Sequence, residues 1–375
     1  MSFDVVIVDD EDVSELVGNI ELKGLNYNLV TPENFSNDID KITDKYDLII
    51  MDQKLAGNIG KIPYMGTTLI QELRTRMAEA RLAPKPIILW SIAGNITSYQ
   101  HEKTSHNLVD AVWKKEWLHI SEHEKRKECA SEVVALIRGY KLINESISEI
   151  RATDSGGGDE FLARIFGKDP SRVKGLVPES VFNHLSNKNN QIAHYVSGFM
   201  INAVLRFDGF LIDECTLAAR LGVDKGCSQW ECFKNQFLLA FKYEGLFSEY
   251  YHRWWAPEFE NWWLDEVSEI YPASLSADER TRILNEKFSL SLSSAKLSHN
   301  HTEDHFWHCC IIDKVPLDAL DAFKVTSSER REWQDQFYVC YDAVAALKHK
   351  VLGYELSVRD RERFLKIRKQ KKNNA

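Results

Sequence analysis

Five short apolar runs punctuate the first 145 residues: Phe3 to Val8, Tyr27 to Val30, Asp47 to Met51, Ile87 to Trp90 and Val109 to Trp113. Each has the length of a strand buried on both faces. Between and after them lie stretches with helical apolar spacing, Glu11 to Ile20, Glu33 to Ile42, Thr67 to Met77, Thr97 to Asn107 and Trp117 to Tyr140. Strands that alternate with helices are joined by crossovers, so they run parallel, and right-handed crossovers put helices on both faces of the sheet. The pattern therefore calls for an α/β domain.

For five units in this order the expected architecture is a flavodoxin-like, doubly wound five-stranded parallel sheet. In such a sheet the carboxyl ends of all strands line one edge, and ligands bind there. The residues arriving at that edge are Asp9 and Asp10 after the first run, Asp52 after the third, Ser91 after the fourth, and Lys114 and Lys115 after the fifth. Clustered carboxylates suit a hard divalent cation. A neighbouring lysine and hydroxyl suit the oxygens of a phosphoryl group. A carboxylate can also be the nucleophile that takes such a group, provided the approach of two anions is neutralised.

These residues, in this order, resemble the receiver domain of bacterial response regulators over about residues 1 to 145. The resemblance implies that Asp9, Asp10 and Asp52 hold Mg2+, that Asp52 accepts the phosphoryl group, and that Ser91 and Lys115 contact it. Departures from the pattern concern the read-out. The loop Gln53-Lys54-Leu55-Ala56-Gly57 lacks the usual proline at Ala56, and Ile92 stands where alanine usually follows the hydroxyl residue. Val112 takes the place of the switch aromatic, beside Trp113, and Glu116 replaces the proline that usually follows the lysine.

The chain is 375 residues long, so a second domain is expected. The run Arg151-Ala152-Thr153-Asp154-Ser155-Gly156-Gly157-Gly158-Asp159 has linker composition. The expected division is thus a receiver at 1–145, a linker at 146–160 and a mainly helical output domain at 161–375. Helices are expected over Glu160 to Phe166, Glu179 to Leu205, Thr216 to Leu221, Gln229 to Tyr243, Trp255 to Tyr271, Ala277 to Phe288 and Arg330 to Leu352. About −7 of the formal −9 falls in the first 150 residues, whereas Arg359 to Lys372 is a basic run expected to be a solvated helix face. Seven scattered cysteines without a C-x-x-C pair read as reduced thiols. No apolar run nears the roughly 18 residues that span a bilayer, so a cytoplasmic protein without membrane attachment is expected.

The second region offers several chemical candidates. Thr216 to Val223, followed by Ser228-Gln229-Trp230-Glu231, has the turn of a helix-turn-helix, but the segment to Tyr243 carries just Lys234 and Lys242 as bases. His299, His301, His305 and His308 precede Cys309-Cys310, and on a helix the last three histidines would share a face as zinc ligands can. Trp255, Phe259 and Trp262 would share a core-facing stripe, leaving Trp254 or Trp263 for a partner.

Receiver and output together imply a signalling protein that takes a phosphoryl group from a sensor kinase or phosphotransfer protein. It would relay that state to a protein partner or through self-association. The layout is similar to receiver proteins of bacterial anti-phage operons that resemble two-component relays. The alternatives are a DNA-binding regulator through 216–243, an effector enzyme, and a phosphate sink.

Overall fold

A computed structural model describes residues 2–18, 24–56, 62–95, 106–119, 121–152, 158–298, 301–327 and 330–373. Most of the helix expected at Thr97 to Asn107, the centre of the linker at 153–157, and His299 lie outside them. The chain divides into two compact units, residues 1–202 with 244–251 and residues 203–243 with 252–375.

The first unit is built on β1 (Phe3–Val8), β2 (Leu25–Val30), β3 (Leu48–Asp52), β4 (Ile87–Ser91) and β5 (Ala111–Lys114), all parallel in the order β2-β1-β3-β4-β5. This is the flavodoxin-like doubly wound sheet. β3 and β4 are buried along their whole length, as interior strands covered on both faces must be, while β2 at the edge is only partly covered. Alternation sends Val6, Val8, Ile49, Met51, Ile87 and Leu89 into one core with Phe35, Leu69, Ile70 and Leu73.

The helices are α1 (Ser14–Gly18), α2 (Pro32–Asn37), α3 (Ile39–Lys45), α4 (Gly66–Ala78) and α5 (His123–Ala152). They continue through α6 (Gly158–Phe166), α7 (Pro170–Leu176), α8 (Glu179–Ser186) and α9 (Ala193–Phe199). Thr31 starts α2 by accepting the Asn34 N–H ahead of Pro32, a favourable first-turn residue. Asp169 starts α7 in the same way with Arg172. α5 runs without a break across residue 145, and α6 to α9 fold with the sheet as parts of the first unit.

The second unit is mainly helical, with α10 (Glu214–Leu221), α11 (Trp230–Phe233), α12 (Ala256–Trp262), α13 (Ala277–Phe288), α14 (Tyr341–Ala345), α15 (Lys348–Val351) and α16 (Val358–Asn373). α13 opens with a capping box in which Ser276 and Glu279 exchange hydrogen bonds. Short antiparallel pairs join β6 (Leu211–Ile212) to β7 (Trp254–Trp255) and β8 (His308–Cys309) to β9 (Pro316–Leu317). β10 (Phe323–Thr326) lies between β11 (Tyr338–Val339) and β12 (Glu355–Leu356).

The sequence reading at Arg330 to Leu352 needs correction. That stretch is not one helix, because β11 forms before α14 and Leu347 takes a left-handed conformation between α14 and α15. The basic run does form a helix, α16, which packs Phe364 into a core with Phe323, Phe337 and Val339. Among the described residues no helix is long and apolar enough to cross a membrane.

Candidate functional site

The site is made where β1, β3 and β5 end. Asp9 and Asp10 follow β1, Asp52 is the last residue of β3, and Lys115 follows β5. The register fixes their level, since Val8 pairs with Met51, Asp52 with Trp90, and Ser91 with Lys114. All three carboxylates are buried, and their ligand oxygens lie within 4.8 Å of one another.

Lys115 resolves which of the two adjacent lysines enters the site. Its Nζ lies 2.7 Å from Asp9 Oδ2 and 3.3 Å from Asp52 Oδ1, and 5.3 Å above the Trp90 ring. The free oxygens of the acids are oriented by backbone: Glu11 N–H donates to Asp9 Oδ1 at 3.0 Å, and Lys54 N–H to Asp52 Oδ2 at 3.1 Å. Gly66 lets α4 begin against β3. A Cβ at this glycine would stand 1.9 Å from the Asp52 carbonyl oxygen, so no larger residue fits without moving β3 or α4.

Lys115 is shared between two buried carboxylates, Asp9 and Asp52, with that of Asp10 close by. Burial raises the Asp52 carboxyl to about 7, with the charges of Asp9 and Asp10 adding to the effect and Lys115 opposing it. Burial also raises Asp9, again against Lys115. Lys115 itself would be lowered by burial, but Asp52 and Asp9 outweigh that and hold it charged. An additional cation is the natural complement. The carboxylate oxygens of Asp9, Asp10 and Asp52 lie close enough together that they could hold a metal ion.

Ser91 is buried, and its hydroxyl accepts the Asn95 side-chain amide at 3.1 Å. The residues that depart from the receiver pattern acquire places too. Ile92 is half exposed, and Glu116 accepts the Ala93 N–H at 3.0 Å, which ties the turn after β5 to the turn after β4. Val112 packs partly into the core beside α4, whereas Trp113 points to the opposite face, where its indole N–H donates to Glu132 of α5 at 2.7 Å. Sequence spacing had no means of finding the Trp113–Glu132 or Ala93–Glu116 contacts. Each joins residues that neither share an element nor form a recognisable motif.

The candidates of the second region rearrange. Residues 301–307 form no helix and His308 begins β8, so His301, His305 and His308 share no helical face. Trp254 and Trp263, expected to leave one ring for a partner, both belong to a core with Trp230, Phe233, Phe259 and Trp262. In the helix-turn-helix-like segment, Gly222 ends α10 in the left-handed conformation, but α11 buries Trp230 and Phe233. Lys234 is held by Glu214 at 2.7 Å and Glu231 at 2.8 Å. Compared with known protein families and with curated proteins, the chain matches none.

Proposed function

We propose that the first unit is a receiver-like phosphoacceptor in which Asp52 takes a phosphoryl group in a Mg2+-dependent reaction. The observation that carries this reading is the placement of Lys115 between Asp9 and Asp52 at the carboxyl edge of the sheet, with Asp10 beside them. Mg2+, when bound by Asp9, Asp10 and Asp52, supplies the charge neutralisation that lets two anions meet. An Asp52 carboxylate oxygen attacks phosphorus, a new P–O bond forms, and the bond to the donor's leaving group breaks with its electron pair departing on that group. Lys115 already contacts Asp52 and is placed to transfer that contact to a phosphoryl oxygen. Ser91, at the end of the neighbouring strand, offers a hydroxyl for another, given up by Asn95.

In this reading the donor is a sensor kinase or phosphotransfer protein, and the phosphorylated state is read by a protein partner or by self-association, as in a relay of the anti-phage type. The test is intact-mass measurement after incubation with acetyl phosphate and Mg2+. One phosphoryl group should be added, chelation of the metal should prevent it, and Asp52→Asn should remove it. No added mass, or the same mass added to Asp52→Asn, would overturn the proposal.

A further inference from the structure

A second cluster of ligand atoms lies in the second unit, where Cys310, Asp313 and Cys340 bring two sulfurs and a carboxylate oxygen within 4.8 Å of one another. Cys310 and Asp313 belong to the turn between β8 and β9. That turn is closed by Cys310 N–H donating to the Val315 carbonyl at 2.8 Å and Lys314 N–H to the Cys310 carbonyl at 2.9 Å. Cys340 stands immediately before α14 and arrives from thirty residues further along the chain. Both thiols are buried, and the Asp313 side chain is 24% exposed.

The simplest use of buried thiols is as small apolar side chains, and both sulfurs do border the core around Phe337 and Val339. A packing role does not explain their polar surroundings. Cys310 Sγ accepts the backbone N–H of Asp313 at 3.3 Å and of Cys340 at 3.4 Å, and Cys340 Sγ accepts that of Ala343 at 3.4 Å. Such donors stabilise sulfur that carries negative charge. Asp313 is divided between two tasks: Oδ1 is held by Lys348 Nζ at 2.6 Å, and Oδ2 faces Cys340 Sγ at 3.5 Å. A carboxylate fixed by one oxygen, with the other accepting from one thiol of the cluster, has the arrangement of a metal ligand whose outer partner is already in place.

We infer that Cys310, Cys340 and Asp313 bind a borderline-soft divalent cation, zinc, through two thiolates and one carboxylate oxygen, with a fourth position open to solvent or an exogenous ligand. Tetrahedral zinc with Zn–S of about 2.3 Å needs sulfurs about 3.8 Å apart, and the ligand atoms here lie within 4.8 Å of one another. Binding would displace one proton from each thiol, while Lys348 keeps the carboxylate in its orientation. This assignment is independent of the phosphoacceptor site, which offers oxygen donors.

The experiment is a cobalt titration of the reduced full chain, followed by displacement with zinc. One equivalent of cobalt should develop thiolate-to-metal charge transfer and the intense visible bands of a tetrahedral site, and zinc should abolish both. Cys310→Ser and Cys340→Ser should remove the charge transfer. Asp313→Asn, at a partly exposed position, should retain it and weaken binding by about tenfold or more. Cys232→Ser, an exposed thiol outside the cluster, and Asp52→Asn should leave the sulfur charge transfer unchanged. The wild-type spectrum decides the question even if a cysteine variant fails to fold. Absence of sulfur charge transfer in the wild type, its survival in a folded Cys310→Ser, or a Cys310–Cys340 disulfide in protein prepared under reductant would overturn the assignment.

Discussion

At the carboxyl edge of the parallel sheet, Asp9 and Asp52 share Lys115 with Asp10 close by, while at the amino edge Asp110, just before β5, is surrounded by donors. Arg74 Nη2 and the Ile87 N–H reach Asp110 Oδ2 at 2.9 Å each, and the Tyr140 and Ser197 hydroxyls reach Oδ1 at 2.8 Å each. Burial alone would raise Asp110, yet Arg74, then His194 and the Ile87 N–H, hold it well below the usual carboxylate range. At Asp52 burial prevails and the carboxyl is pushed up to about 7. Equal burial thus has opposite meanings. A carboxylate whose oxygens are fully supplied with donors belongs to the framework, here joining α4, β4, α5 and α9, whereas Asp9 and Asp52, which share one lysine, are where the proposed cation and phosphoryl group would add charge.

The largest effect should come from breaking the supplied end. Asp110→Ala leaves the Arg74 guanidinium, with a side chain 6% exposed, buried without its counter-charge. The expected loss is about 3–5 kcal/mol in urea unfolding. A loss below about 1 kcal/mol would show that Asp110 does not organise the framework, and the contrast between the two edges would fail.

Glu132 stands between the extremes. It is buried and accepts the Trp113 indole N–H, but burial still raises its carboxyl to about 7 from an ordinary 4.5. The folded state therefore holds this proton more tightly than the unfolded chain. The associated stability is full below the unfolded value and lost as pH rises through about 7. Glu132→Gln keeps an oxygen for Trp113 and cannot ionise, so it should lack that loss. Relative to wild type it should gain about 3 kcal/mol above about pH 8 and nothing near pH 4, read as unfolding free energy against pH. Parallel curves for the two proteins would mean that Glu132 is not a strained buried acid.

The sheet was legible in the sequence for a physical reason. Strands covered on both faces are continuous apolar runs, and the runs at Phe3, Asp47 and Ile87 coincide with β1, β3 and β4 to within a residue at each end. Asp9, Asp10, Asp52 and Lys115 were legible because each terminates or follows such a run, so sequence position alone carries it to the same edge. Asp110 was not, because its donors come from Arg74, Tyr140 and Ser197, distant residues that no spacing rule relates. The same holds for Cys310, Asp313 and Cys340, whereas the neighbouring histidines attracted a metal reading through proximity in sequence. In the second unit strands of two residues give periodicity nothing to act on, and at Arg330 to Leu352 a helical expectation ran through β11.

The smallest effect is also the one whose sign discriminates most sharply between the two edges. Asp52→Asn removes one of the two carboxylates that share Lys115, beside a third, so without metal it should stabilise the protein by about 1–2 kcal/mol, the reverse of Asp110→Ala. Mg2+ should then reverse the order. An ion bound as proposed would stabilise the wild type by mass action in proportion to its affinity, and the variant, lacking one proposed ligand, should respond less. Thermal unfolding with and without Mg2+ measures both parts. If Asp52→Asn destabilised the metal-free chain as Asp110→Ala does, its carboxylate would be a framework group that Lys115 satisfies, and the charge deficit at the carboxyl edge would not be a binding feature.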